Sequence, residues 1–228
     1  MSDGARFTDR DEAGGALAAA LAAHAHRPRT VVLALPRGGV PVAVEVASAL
    51  ALPLDVLCVR KLGVPWQEEL AMGAVATGGV TYLDRVIIAQ GAIDEATVAA
   101  TITRESAELA RREATYRAGR PPLDCRAQTV LLVDDGLATG ATMRAAITAV
   151  RQLGAARVIV AVPVGPPETC DALGREADGC VCLRRPAAFL AVAQWYVDFP
   201  QVTDAEVVAA LAATPIASPA LPSTPSPR

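Results

Sequence analysis

The stretch Val130–Met143, VLLVDDGLATGATM, ends a run of four apolar residues in two adjacent carboxylates and follows them with small and hydroxyl-bearing residues. VLLV reads as a strand buried on both faces, as in a parallel sheet, with a helix expected from about Ala141. Asp134 and Asp135 then stand at the C-terminal end of a strand, where open α/β sheets bind their ligands. Side by side they repel unless a vicinal diol, a divalent cation or both compensates them. Beyond them, Gly136, Ala138, Gly140 and Ala141 leave the backbone bare, and Thr139 and Thr142 add hydroxyls at a helix N-terminus. That combination is suited to cradling a phosphate. A helix cap alone, supplied by Asp135 or Thr139, would need only one such residue. A Walker loop would need a lysine that this stretch lacks. A diol grip joined to a phosphate cradle matches the two ends of a ribose 5-phosphate.

Working outward, the 228 residues suffice for one domain with a real core. Hydrophobic residues make up 52% but aromatic ones only 4%, so that core must be built from Ala, Val, Leu and Ile. Such a composition suits parallel strands under alanine-rich helices, an α/β fold. A formal net charge of -3 offers no footprint for nucleic acid or an anionic membrane. No apolar run reaches the length of a membrane span and the N-terminus is charged, so a cytoplasmic protein is expected. The five cysteines show no C-x-x-C pairing, which argues against a disulfide framework or zinc knuckle. Cys180 and Cys182 are read as small hydrophobes in a strand.

Thr8 or Asp9 should cap a first helix running to about His26. TVVLALP (Thr30–Pro36), VPVAVEVASAL and LPLDVLCV (Leu52–Val59) form a β-α-β unit with a parallel pair. A flexible loop and hairpin are expected over about 61–84, turning at Gly78-Gly79, outside the main sheet. A long solvated helix should cover about 93–117, with pairs from Arg104 to Glu108 and from Glu108 to Arg112. Strands at TVLLV, RVIVAV and GCVCL then alternate with helices at Ala141–Leu153 and Pro167–Glu176. Prolines at 215, 219, 222, 225 and 227 mark 213–228 as a disordered tail. His24 and His26 are read as surface residues, and Glu68 with Glu69 as a solvated pair.

A hydrophobic strand, two acids and GLATGAT resemble the phosphoribosyl pyrophosphate signature of type I phosphoribosyltransferases. LALPRGGVPVA (Leu33–Ala43) resembles that family's pyrophosphate loop, VRKLG (Val59–Gly63) its second substrate-contacting strand end, and WYVDFPQVTDAEV (Trp195–Val207) its C-terminal part. The likeness covers residues 6 to 212 and is to a little-characterised bacterial branch. It implies an open, mainly parallel twisted sheet with helices on both faces, and a domain over 1–212. It further implies that Asp134 and Asp135 grip the ribose hydroxyls, and hold Mg2+ directly or through water or substrate, while Ala138, Thr139, Gly140, Ala141 and Thr142 take the 5-phosphate. Arg37, Gly38 and Gly39 would wrap the pyrophosphate, with a non-proline cis peptide there, and Arg60 and Lys61 would reach the phosphates. Lys61 is the chain's only lysine. The implied reaction is transfer of phosphoribosyl from 5-phosphoribosyl 1-pyrophosphate to a nitrogenous acceptor, with Asp134, Asp135, Lys61 and Arg37 as the catalytic set and a homodimer as one assembly.

Where several 6-oxopurine members carry an acceptor-reading lysine, this chain offers Val162 or Val164, against hypoxanthine, guanine and xanthine. Trp195, Tyr196 or Phe199 could either stack on a base or sit in the core. Two other functions keep the same site: a phosphoribosyl pyrophosphate sensor without turnover, and a Mg2+-dependent phosphate-ester hydrolase needing no acceptor.

Overall fold

The computed structural model describes residues 6–214; the remainder of the proline-rich tail, from 215 on, lies outside the described residues. Five parallel strands, Thr30–Ala34 (β1), Leu54–Val56 (β2), Thr129–Val133 (β6), Arg157–Val164 (β7) and Cys180–Arg184 (β8), form a sheet in the order β2-β1-β6-β7-β8. Every residue of β1 is buried, and its side chains alternate between two cores. Val32 and Ala34 pack with the helices Arg10–Ala20 (α1) and Gly39–Leu50 (α2), whereas Val31 and Leu33 pack with Ala141–Gln152 (α5). A strand apolar on both faces therefore has helices on both sides. β1 and β6 pair in register from Thr30↔Thr129 to Ala34↔Val133, which brings their C-terminal ends together.

The first helix starts at the expected cap, with Asp9 accepting the Glu12 N–H at 2.8 Å. It ends at Ala20 and gives way to a short 3-10 turn, Ala22–His24, after which His26 turns the chain with φ 54. The strand expected over Leu52–Val59 is divided. Cys58 donates to the Thr77 hydroxyl at 3.0 Å and accepts from the Thr77 N–H at 2.9 Å, so the chain leaves the sheet there. It enters a separate antiparallel sheet of Val59–Val64 (β3), Gln67–Ala76 (β4) and Val80–Leu83 (β5). The expected excursion is thus present, but residues 61–64 are strand rather than loop. Gly78 and Gly79, both left-handed at φ 83 and 76, turn β4 into β5.

Arg85–Gln90 (α3) leads to Glu95–Tyr116 (α4), the long helix, capped by Asp94 accepting from Thr97 at 2.8 Å. Glu108 takes Arg112 and also Arg111, both at 2.8 Å, while Arg104 turns to Glu105 at 3.1 Å, so the expected Arg104–Glu108 pair does not form. Nor is the helix merely a solvated face: Val98, Thr101, Glu105, Leu109 and Tyr116 are buried. Its end is tied to the main sheet by Arg117, whose Nε and Nη2 each donate to a different oxygen of Asp55 in β2 at 3.0 Å. Asp55 is 2% exposed, also accepts from the Val56 N–H at 2.8 Å, and has Arg120 at 3.8 Å. Pro167–Glu176 (α6) packs on β8 and α5, and Asp204–Ala212 (α7) packs on α2 and α4. Among the described residues no helix is long and apolar enough to cross a membrane.

Candidate functional site at the strand ends of β1 and β6

Two loops leave the C-terminal ends of β1 and β6 and touch. The first, Leu35 to Gly39, contains a cis peptide between Pro36 and Arg37. A Cβ on Gly38 would lie 2.1 Å from Asp135 Oδ2, and one on Gly39 would lie 2.7 Å from the Val133 carbonyl. Only residues without a side chain allow this approach. The structure therefore brings Arg37, Gly38 and Gly39 together with Asp134 and Asp135, although about a hundred residues separate them.

Asp134 and Asp135 are only partly covered, and their environments differ. Asp134 Oδ1 accepts the Asp135 N–H at 2.9 Å. Burial raises the Asp134 carboxyl well above the ordinary aspartate range, and the neighbouring Asp135 charge adds to this. Burial also raises Asp135, but the charge and hydrogen bonds of Arg10 oppose it. Arg10 Nε and Nη2 reach Asp135 Oδ2 at 3.0 and 2.9 Å, while Nη1 donates to the Pro200 carbonyl at 2.8 Å.

Arg10 was not singled out from the sequence, yet a signal existed. It occupies the first turn of α1, where the helix dipole disfavours a cation, so a partner elsewhere had to hold it. Its guanidinium lies 3.7 Å from the Phe199 ring centroid, and Phe199 stacks at 4.8 Å on Tyr196. The Tyr196 hydroxyl donates to the Asp135 carbonyl at 2.6 Å, and burial pushes its pKa up. Tyr196, 2% exposed, is a core residue, while Phe199 lines an open cleft of about 410 Å³ with Arg10, Arg37, Gly38, Asp135 and Gln201. Trp195 is half-buried, and its indole N–H has no hydrogen-bond partner.

After Asp135 the chain passes through Gly136, whose Cβ would meet Val192 at 2.6 Å, to the exposed residues Ala138 and Thr139. Gly140, left-handed at φ 76, begins α5. Neither Asp135 nor Thr139 caps that helix in the usual way; the Ala141 N–H has a long 3.4 Å contact to the Thr139 hydroxyl, and no other side-chain cap is found among the described residues. The first-turn amides of α5 therefore remain disposed to bind an anion. Thr169 of α6 and Arg144 hold the backbone of this turn, donating to the Ala138 and Thr139 carbonyls at 3.2 and 2.9 Å. Thr139 and Ala141 also border a larger cavity of about 940 Å³ between α5 and the β4–β5 hairpin.

Arg60 and Lys61 lie on β3. Arg60 Nε and Nη2 both donate to Glu105 Oε2, at 2.9 and 2.6 Å, so its guanidinium is engaged by α4. Arg37 has Asp204 at 3.6 Å. Val162 and Val164 are fully buried, and the side chains of Glu68 and Glu69 lie outside the described residues. His24 is half-buried and His26 exposed. The carboxylates of Asp134 and Asp135 offer hard oxygen donors of the kind Mg2+ prefers, in a place where negative charge is under-compensated, so they fit such an ion when substrate oxygens and water supply its other ligands.

Known proteins resemble this chain. Two proteins of Mycobacterium tuberculosis, from strains CDC 1551 / Oshkosh and H37Rv, bear the name "Putative phosphoribosyl transferase" and are each 47% identical over 205 residues. The alignment covers 90% of this chain and 46% of theirs, so the chain spans about half the length of the curated relatives it matches. The crystal structure of TT1426 from Thermus thermophilus is 45% identical, with a TM-score of 0.81 over 90% of this chain and 97% of that one. The phosphoribosyl transferase domain profile matches residues 9–198, a span that includes both touching loops and the helix that follows them. On that match the chain belongs to the phosphoribosyl transferase domain family.

Proposed function

We propose that the chain transfers the phosphoribosyl group of 5-phosphoribosyl 1-pyrophosphate to a nitrogenous acceptor, with Mg2+ and release of pyrophosphate. The observation that carries this reading is the approach of the Gly38-Gly39 loop onto an acidic pair that leads directly into the uncapped N-terminus of α5. A pyrophosphate, a ribose diol and a phosphate would meet these three features in the order they occur along such a substrate. Residues 1–212 would form the transferase domain.

Asp134 and Asp135 would accept hydrogen bonds from the ribose 2′- and 3′-hydroxyls. Arg10 would keep Asp135 ionised and oriented, since its fork already holds one carboxylate oxygen. Ala138 to Thr142 would bind the 5-phosphate through backbone amides and the Thr139 and Thr142 hydroxyls. Gly38 would present its amide to the pyrophosphate, Gly39 would let the loop approach it closely, and Arg37, Arg60 and Lys61 would balance its charge. Mg2+, when bound with the substrate, supplies neutralisation of the pyrophosphate and so makes it a better leaving group. The acceptor nitrogen would attack the anomeric carbon as the carbon–oxygen bond to pyrophosphate breaks. Positive charge developing on the sugar would be met by the acidic pair. A flat acceptor would enter the 410 Å³ cleft that Phe199 borders.

The test is ³¹P NMR of the substrate with Mg2+ and protein, with and without a pool of purines, pyrimidines and small aromatic amides. Pyrophosphate released only with the pool, and abolished in the Asp134→Asn/Asp135→Asn double variant, is expected. Release without any acceptor would replace this reading with a hydrolase, and binding without turnover would replace it with a sensor.

A further inference from the structure

Three cysteines separated in sequence meet away from the cleft. Cys180 and Cys182 lie two residues apart on β8 and so face one side of the sheet. There α6 covers the strand and sets Cys170 in the same pocket as both thiols. The Cys182 thiol also donates to the Arg184 carbonyl at 3.2 Å. The trio lines an open pocket of about 370 Å³ together with Arg175 and Arg185. Arg185 is held over it by the Pro167 carbonyl, at 2.8 Å, and by Asp171.

The trio differs from the other two cysteines. Cys58 and Cys125 are buried singly, and burial pushes each thiol up to about 12, where almost no reactive thiolate exists. Cys170 is instead lowered below the ordinary thiol range by the Cys180 and Cys182 thiols beside it, with Arg185 adding its charge. Cys180 and Cys182 are correspondingly pushed up. Among the described residues no group of three or more His, Cys, Asp or Glu is arranged to hold a metal ion.

We infer that this cluster is a hydroperoxide-reactive site at which Cys170 is oxidised and then captured by Cys180 or Cys182, forming a disulfide that ties α6 to β8. The Cys170 thiolate would attack one peroxide oxygen, so that an S–O bond forms and the O–O bond breaks. The departing oxygen takes a proton and leaves as water or alcohol. A thiol of Cys180 or Cys182, losing its proton, would then attack the sulfenic sulfur; an S–S bond forms, the S–O bond breaks and water leaves. Two sulfurs give up two electrons in total and the peroxide accepts them. None of this depends on the transferase reading.

The experiment exposes the reduced full chain to hydrogen peroxide, counts free thiols after denaturation and maps peptides by mass spectrometry. Two of the five thiols should disappear, with the Cys170 peptide joined to the one holding Cys180 and Cys182. The loss at Cys170 should run at least about ten-fold faster than at Cys58 or Cys125. Cys170→Ser should stop the reaction. Cys180→Ser or Cys182→Ser alone should redirect the disulfide to the remaining partner, and the double variant should leave a Cys170 sulfenate that dimedone traps. Circular dichroism of each variant establishes that it is folded. Five thiols surviving excess peroxide, a Cys180–Cys182 bond, or an undiminished loss in folded Cys170→Ser would each overturn the inference.

Discussion

Asp55 and Asp134 are both carried by strands of the same parallel sheet, yet their surroundings are opposite. Asp55 lies within β2, where Arg117 grips both its oxygens, Arg120 stands nearby and the Val56 amide completes the shell. Asp134 lies just past the end of β6, with one amide bond and a second carboxylate beside it. A carboxylate that serves the fold has its charge matched within the protein. One that awaits a ligand keeps part of that match open, at a cost to stability. Position along a strand thus separates the two roles, since only the end is open to a ligand.

The largest test of this contrast is Asp55→Asn. Removing that charge strands Arg117 in a buried place and should lower unfolding stability by about 3–5 kcal/mol, read from urea melts. Substrate binding by the remaining folded fraction should be unchanged. Arg10→Met, the intermediate case, should cost about 1.5–3 kcal/mol, because a charged hydrogen bond to Asp135 is lost. Arg10→Lys should recover the charge but not the fork, and a thermal melt of both variants tells the two contributions apart.

Asp134→Asn should move the other way. Its carboxyl titrates above the unfolded-state value in the ligand-free protein. The stability linked to that group is therefore full below the unfolded pKa and is lost as pH rises through the folded one. At neutral pH the variant should melt above the parent, and the gap should close as the pH is lowered towards about 4. A variant that melts lower at pH 7 would mean that Asp134 is as well matched as Asp55. The smallest effect is expected at Glu108→Gln on α4, where the carboxylate and Arg112 are half-exposed and Arg111 is exposed. Its melting temperature should stay within measurement scatter of the parent.

The contrast also explains what could be read from the sequence. Val130–Val133, the acids and the small residues after them are contiguous, so strand, turn and helix start were each written locally. The same holds for Arg37-Gly38-Gly39, whose lack of side chains points to a close approach without saying to what. What completes the site comes from far away: Arg10 reaches Asp135 across 125 positions and Tyr196 across 61. No periodicity encodes such partners, because tertiary packing alone chooses them. The division of Leu52–Val59 was hidden similarly, since an apolar run cannot announce that its last residues pair with Thr77.

The register of β1 against β6 bears on how the chain can be made. β1 has β2 on one side soon after both leave the ribosome, but its other neighbour begins at Thr129, about a hundred residues later. Until then a strand that ends wholly buried in the middle of the sheet has an open hydrogen-bonding edge. The hairpin strands and α4, emerging in between, can pack on one another meanwhile. Synthesis thus passes through an interval in which the periphery can assemble while the centre cannot, and nascent chains of about 60–125 residues are where aggregation or chaperone capture should be greatest.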